Sequence, residues 1–359
     1  MKAWRTQKYN EAVPAAIKAL SMNVGVPIPV PGEGEVLVRV LHAAVNPIDW
    51  KVFSGGYHGM FPATHPYVPG FDLSGTVDAV GKGVHGLRVG DSVIADTGLV
   101  ETCMDPPPNG GSGGVFAEYA IVPETLAAKI KAKDCRKLAG LPLAGLTSYQ
   151  ALFTGAGAST TGGPLGDLKA GQKLLVLGGS SGTGLFAIQL AKSVGASVAC
   201  TASTNKTLDG HSKLDVVKSM GADVVIDYKT QEWATELAGK EYDMILDCVG
   251  DDKDWVNAPK VLKKGGLFVS LANFTPTEPE KSDATFAAMI VKSSGEDLRK
   301  MVTLAEAGKL KVCIDAILGF DQVKEALSKS LTARSGGKII IDVGAPPADE
   351  GCLGGCVVA

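Results

Sequence analysis

The chain has 359 residues, against a soft prior of about 150 per domain, so two domains are expected, with a core that needs no disulfide or metal staple. Lys plus Arg (35) nearly balance Asp plus Glu (38), and a net charge of −3 gives no electrostatic reason to expect a nucleic-acid partner. The apolar region 138–153 is interrupted by Gly140, Pro142, Gly145, Thr147, Ser148 and Gln150, which excludes a membrane-spanning helix there. Seven scattered cysteines and no recognisable secretory leader point to a reducing, cytoplasmic setting.

From residue 1 to about 133, short β runs lie between Pro/Gly punctuation. Glu35-Val-Leu-Val-Arg-Val-Leu41 alternates, Gly75-Thr-Val-Asp-Ala-Val80 alternates, and Asp91-Ser-Val-Ile-Ala95 follows a turn. The Pro/Gly composition of 105–114 predicts a surface loop without chemistry. After Gly171 the period changes. Strands are predicted over 173–177, 197–202, 223–227, 242–249 and 266–272, with a first helix over 183–194 whose residues divide into a polar and an apolar face. This alternation predicts a doubly wound parallel sheet. A last segment, with a strand over 310–318, a helix over 320–331 and a strand over 338–343, returns to β character, and the first domain is one place for it to pair.

The run Leu174-Leu-Val-Leu-Gly-Gly-Ser-Ser-Gly-Thr-Gly-Leu-Phe-Ala-Ile-Gln-Leu-Ala-Lys192 is a buried strand, a glycine-rich turn and a helix. Glycines let the backbone lie against a pyrophosphate, and a helix start offers unpaired N–H groups and a positive dipole end to it. Gly179 and Gly184 fit the pattern G-x-G-x-x-G, Ser181 replaces its middle glycine, and Gly182 follows; Gly179, Ser180, Ser181, Gly182, Thr183 and Gly184 are the candidate cofactor-binding set. A carboxylate for a ribose 2′-hydroxyl is expected about 20 residues on. The second strand instead ends Cys200-Thr-Ala-Ser-Thr-Asn-Lys206, with no carboxylate before Asp209. A hydroxyl and an ammonium at Ser203 and Lys206 suit a 2′-phosphate, so NADPH is expected as the cofactor rather than NADH. The competing reading of that pair is a solvated loop.

Asn46-Pro-Ile-Asp-Trp-Lys51, Pro69-Gly-Phe-Asp-Leu-Ser-Gly75, Gly114-Val-Phe-Ala-Glu-Tyr119, Leu141-Pro-Leu-Ala-Gly-Leu-Thr-Ser-Tyr-Gln150 and the glycine turn follow one another in order. Together they resemble the zinc-independent quinone oxidoreductase (zeta-crystallin-like) branch of the medium-chain dehydrogenase/reductase superfamily, over about 1–343. The resemblance implies an α/β chain with a GroES-like β-rich catalytic domain over 1–133, a doubly wound Rossmann NADPH-binding domain over 134–285 and a return to the catalytic domain over 286–343. A flexible tail over 344–359, a cofactor cleft between the domains and a homodimer complete the expectation. The segment between Asn205 and Val216 is longer than in typical relatives, so Lys206 and Lys213 both stand as candidates for the 2′-phosphate. Tyr228 resembles a further family contact to it.

Zinc alcohol dehydrogenases of the same superfamily carry Gly-His-Glu where this chain has Gly70-Phe71-Asp72, and phenylalanine cannot ligate a metal. No zinc site is predicted. Without a Lewis acid to acidify an alcohol, the easier task is hydride delivery from NADPH to a quinone or to the activated C=C of an α,β-unsaturated carbonyl. The developing oxyanion then needs hydrogen-bond donors and a proton. Asn46 is read as a donor to cofactor or substrate oxygen, Lys51 as an oxyanion stabiliser and Tyr57 as a proton source. Asp49 resembles a family residue beside the nicotinamide, with a structural ion pair or turn as the equal alternative for Asp49 and Lys51. His42, His58, His65, His85 and His211 form no spaced set and are read as structural. The end Cys356-Val-Val-Ala359 fits a prenylation pattern, which would add a weak lipid anchor; the other reading is an unstructured tail. The alternative function is an NADPH-binding sensor or structural protein with little catalysis.

Overall fold

The computed structural model describes residues 1–10, 12–59, 62–98, 114–154, 158–159, 166–207 and 210–344. All but Gly114 of the loop predicted over 105–114, and the tail with Cys352 and Cys356, lie outside the described residues. The chain divides into two compact units. One holds Met1–Leu143, Ser293–Leu304 and the run from Ile314, and the other Ala144–Lys292 and Ala305–Cys313.

In chain order the first part forms β1 (Ala3–Arg5), α1 (Val13–Ala19), β2 (Ser21–Asn23), β3 (Glu35–Val45), α2 (Pro47–Phe53), β4 (Asp72–Val80), β5 (Ser92–Asp96), β6 (Tyr119–Pro123), β7 (Ala127–Lys129) and α3 (Cys135–Leu138). The middle of the chain forms α4 (Pro142–Tyr149), β8 (Ala158–Ser159), β9 (Lys173–Leu177), α5 (Gly182–Ser193), β10 (Ser197–Ala202), α6 (Lys213–Ser219), β11 (Val224–Asp227), α7 (Trp233–Glu236), β12 (Tyr242–Asp247), α8 (Asp252–Asn257), β13 (Leu262–Ser270) and β14 (Thr285–Ile290). Last come α9 (Gly295–Glu306), β15 (Ile314–Gly319), α10 (Val323–Leu331) and β16 (Lys338–Asp342).

Among the described residues, the first unit's sheet runs β15-β16-β3-β4-β5-β7, with β6 also paired to β3. The long strand β3 is its spine. Val36, Val38 and Val40 point into the main core, but the register to β4 slips between Val40 and His42, and beyond the slip Ala43 and Val45 face that core instead. The inserted residue is Leu41. A bulge of this kind shifts side-chain parity by one, so His42 and Ala44 turn to the opposite face. That face carries an apolar patch of Ala44, Ala139 and Ile340 and, around it, charged groups. His42 pairs with Asp342 at 2.8 Å, Arg136 reaches Asp342 at 3.1 Å, and Asp72 stands register-opposite both Ala44 and Asp96.

The second unit's sheet runs β11-β10-β9-β12-β13-β14-β8 among the described residues, parallel throughout except where β8 joins β14. Counted from β9, the parallel strands have the doubly wound order 3-2-1-4-5-6, whose direction reverses between β9 and β12. Ligands of such sheets bind outside the carboxyl ends of the strands at that reversal. The core packs Leu175, Leu177, Ile245 and Phe268 with Trp233 and Trp255. The helix α5 departs from the expected two-faced pattern, since all of its residues from Gly184 to Ala191 are buried. Its polar residue Gln189 is satisfied by the backbone, accepting from Lys311 N at 2.7 Å and donating to Lys311 O at 3.0 Å.

The buried Asp254 of α8 accepts from Trp233 Nε1 at 3.2 Å. Burial first, then the Asp247 charge, pushes its carboxyl up to about 7. A raised folded-state value costs nothing while the group is protonated in both states, and costs progressively more as pH climbs from the ordinary carboxylate range to about 7. Asp254→Asn keeps an acceptor for Trp233 without the charge. It is expected to stabilise the protein by about 2 kcal/mol near pH 8 and by little near pH 4, as thermal melts at the two pH values would show.

Candidate functional site

In the second unit the glycine turn follows β9 directly. Gly178 has φ +80°, its N–H donates to Thr201 Oγ1 at 2.9 Å, and the Gly179 N–H donates to Thr201 O at 2.8 Å. A Cβ on Gly179 would lie 2.6 Å from Cys200 Cβ, and one on Gly184 would lie 2.4 Å from the Gly178 carbonyl oxygen. Both glycines are therefore required by close backbone approach. Ser181 caps α5, its Oγ accepting from Gly184 N at 3.0 Å. The first-turn N–H groups of Gly182 and Thr183 have no acceptor inside the helix and carry the positive end of its dipole. This cradle of bare backbone and open donors fits a diphosphate. Cys200 and Cys248 pack under the turn, and burial pushes both thiols up to about 12, so they are uncharged filling at neutral pH.

The parallel register of β10 with β11 aligns Ala202 with Asp227, and Tyr228 N donates to Ala202 O at 3.1 Å. Ser203 and Tyr228 consequently leave adjacent strand ends. Ser203 is buried and Tyr228 is 56% exposed. Of the two candidate lysines, Lys206 is exposed while Lys213, the first residue of α6, is buried. Lys229, missed in the sequence reading, donates its Nζ to Asn205 Oδ1 at 2.6 Å and so brings a second exposed ammonium to the same edge. Its position one residue after Tyr228 was the available signal.

In the first unit Asn46 caps the start of α2, and the four sequence candidates of this segment divide into two groups. The Asn46 N–H donates to Asp49 Oδ2 at 2.6 Å. The Asn46 side chain is turned inward, with Nδ2 donating to Asp72 Oδ2 at 2.9 Å and to Ala44 O at 3.4 Å, and Oδ1 accepting from Lys338 Nζ. Both amide hydrogens are thus engaged within the unit. Asp72 also accepts from Leu143 N at 2.8 Å and lies 3.3 Å from Lys338 Nζ. Desolvation raises the Asp72 carboxyl against the pull of Lys338, and raises that of fully buried Asp49 strongly, leaving Asp49 protonated more readily than an ordinary aspartate.

Lys51 and Tyr57 form the other group. The Lys51 ammonium lies 5.7 Å from the Trp50 ring centroid and 5.8 Å from that of Tyr57. Burial lowers the Lys51 value and raises that of Tyr57, so each group is held toward its neutral form. Asp49 is bonded to the Asn46 N–H in the first turn of α2, as its turn reading has it, while Lys51 packs against the two rings. Among the described residues no three His, Cys, Asp or Glu side chains gather as a ligand set for a metal ion. No helix of the described residues is long and apolar enough to cross a membrane.

Comparison with known proteins agrees with this geometry. The family model described as an alcohol dehydrogenase GroES-like domain matches residues 32–132, and that described as a zinc-binding dehydrogenase matches 220–341. The 2-methylene-furan-3-one reductase of Solanum lycopersicum is 39% identical over 349 residues, covering 95% of this chain and 79% of that protein. The chloroplastic NADPH-dependent alkenal/one oxidoreductase of Arabidopsis thaliana is 37% identical over 350 residues, with coverage of 95% and 79%. Among solved structures, the quinone oxidoreductase of Coxiella burnetii is 25% identical with a TM-score of 0.75, covering 96% of this chain and 99% of its own. The glycine turn at the reversal of a doubly wound sheet, Phe71 in place of a ligating histidine and these likenesses along the whole chain agree: the protein belongs to the zinc-independent, quinone oxidoreductase-like branch of the medium-chain dehydrogenase/reductase superfamily, a family of NAD(P)-dependent oxidoreductases.

Proposed function

We propose that the protein is an NADPH-dependent reductase of quinones or of the activated C=C bond of α,β-unsaturated carbonyls. The observation that carries the reading is the Lys51 ammonium held against the Tyr57 ring at the end of α2, an electrophilic donor beside a phenol. The N–H groups of Gly182 and Thr183 would hold the dinucleotide's diphosphate, and Lys206, Tyr228 and Lys229 its 2′-phosphate. When bound, the dinucleotide supplies the hydride. Lys51 would then stabilise the oxyanion that develops on the acceptor, and Tyr57 would deliver the proton that completes the reduction. The plant relatives named for alkenal and furanone reduction support this substrate class.

Purified protein is expected to consume NADPH with enals, enones or quinones, followed at the reduced-nicotinamide absorbance band. Tight NADPH binding without turnover across such a panel would instead favour the binding-only reading. The preference over NADH should reach about tenfold or more in kcat/KM, in line with charge-assisted bonds of about 1.5–3 kcal/mol. Lys229→Ala combined with Lys206→Ala is expected to erase most of it by raising KM for NADPH while leaving NADH kinetics unchanged. Equal loss with both coenzymes would remove these lysines from the phosphate site. A homodimer is part of the proposal, and light scattering distinguishes it from a single chain.

A further inference from the structure

On the face of the first unit's sheet opposite its main core, one buried cationic side chain has no place in the proposed chemistry. Lys338 opens β16 and is 4% exposed. Ile339 is the register partner of Val45, so Lys338 stands opposite Asn46, and its ammonium reaches both Asn46 Oδ1 and, at 3.3 Å, Asp72 Oδ2. Asp96 stands register-opposite Asp72 on β5, where it accepts from Ser293 Oγ at 2.7 Å, and Asp49 contributes a third buried carboxyl from α2. Two of these carboxyls, Asp49 and Asp72, bond Asn46 directly, Asp96 lies beyond Asp72, and Lys338 is the cation bonded to Asp72 and Asn46. The position matters because Asn46 is the residue before α2. Its side chain bonds Lys338 and Asp72, and its N–H is taken by Asp49. The start of α2 is thus pinned from β16 and β4, and α2 carries Lys51.

We infer that Lys338 is a positioning residue for the reaction: through Asn46 and Asp72 its ammonium fixes the start of α2, and hence the place of Lys51 and Tyr57. The inference rests on the functional reading given above. Removing one partner of a buried pair leaves the other charge uncompensated, so Lys338→Met alone would confuse loss of position with loss of fold. The double variant D72N/K338M replaces the pair with neutral groups of similar volume and keeps one acceptor oxygen for Asn46 Nδ2 or Leu143 N, and K338R keeps the charge. Two readouts apply to each: hydrogen–deuterium exchange of the peptide spanning 46–57, and kcat with NADPH and an enone.

D72N/K338M is expected to melt within a few degrees of the parent, to exchange faster over 46–57 but not over the glycine turn, and to lose at least tenfold in kcat while its NADPH dissociation constant stays within about threefold. K338R is expected to recover part of kcat and of the protection. A folded double variant with parental exchange over 46–57, or with kcat within twofold, overturns the inference. Parent protein inert toward every acceptor defeats the functional reading instead, and the exchange measurement still judges Lys338 by itself.

Discussion

Gly184→Val is expected to abolish dinucleotide binding, raising the dissociation constant for NADPH by about 100-fold or more, because the new side chain must displace backbone. The first added atom would stand 2.4 Å from the Gly178 carbonyl oxygen and 2.8 Å from Gly179 Cα. Neither can swing away as a flexible side chain would. The start of α5 must then lift from the end of β9, and with it go the Ser181 cap and the aim of the Gly182 and Thr183 N–H groups. Overpacking at such a contact typically costs about 1–3 kcal/mol of stability. A melt beside a fluorescence titration therefore separates the two effects. A folded G184V protein that binds NADPH as the parent does would show that the turn is not the diphosphate site.

The second large effect concerns turnover rather than binding. Lys51→Met removes the ammonium and keeps a side chain of similar length; Tyr57→Phe removes the phenol and keeps the ring. Each is expected to lower kcat about 100-fold, within the usual range for an oxyanion donor or a general acid, with the NADPH dissociation constant unchanged. The double variant should fall by much less than the product, since both groups serve the same developing oxygen. The pH profile adds a sign. Burial lowers the Lys51 value, so its charge is lost at a lower pH than that of a free lysine, while burial keeps Tyr57 a phenol to higher pH. The alkaline limb of kcat should accordingly follow Lys51, persist in Y57F and disappear from K51M. Wild-type turnover in both single variants would remove the pair from the chemistry.

How far the site could be read in advance differs between the two units. The glycine turn was legible because strand, turn and helix are consecutive, and each glycine answers a local steric demand at Gly179 or Gly184. Lys51 and Tyr57 were legible as a short segment, though their alternation with apolar residues belongs to the helix α2 and the turn after it. Asn46, read as a donor to a ligand, has its side chain turned inward. Its donors are consumed by Asp72 and Ala44, and Asp72 is 26 residues away while Lys338 is 292 away. The strand β14 and the helix α4 also went unread, their patterns being weak or mixed in period, as did α9 although Leu298, Met301, Val302 and Ala305 recur at helical spacing.

What the sequence by itself determined is whatever rests on neighbours along the chain: the β-rich start, the strand–turn–helix order of the parallel sheet, the glycine turn and the phenylalanine that cannot ligate a metal. The tertiary structure alone decided the rest. A single inserted residue at Leu41 inverts the parity of β3 and turns His42 and Ala44 to the face opposite the main core, a change set by the register to β4 rather than by the local pattern. Pairing of β16 with β3 then sets a lysine from the end of the chain among carboxyls from its first hundred residues. Buried charges need partners, and which partners they find is fixed by strand register, a property of the folded sheet rather than of any one segment.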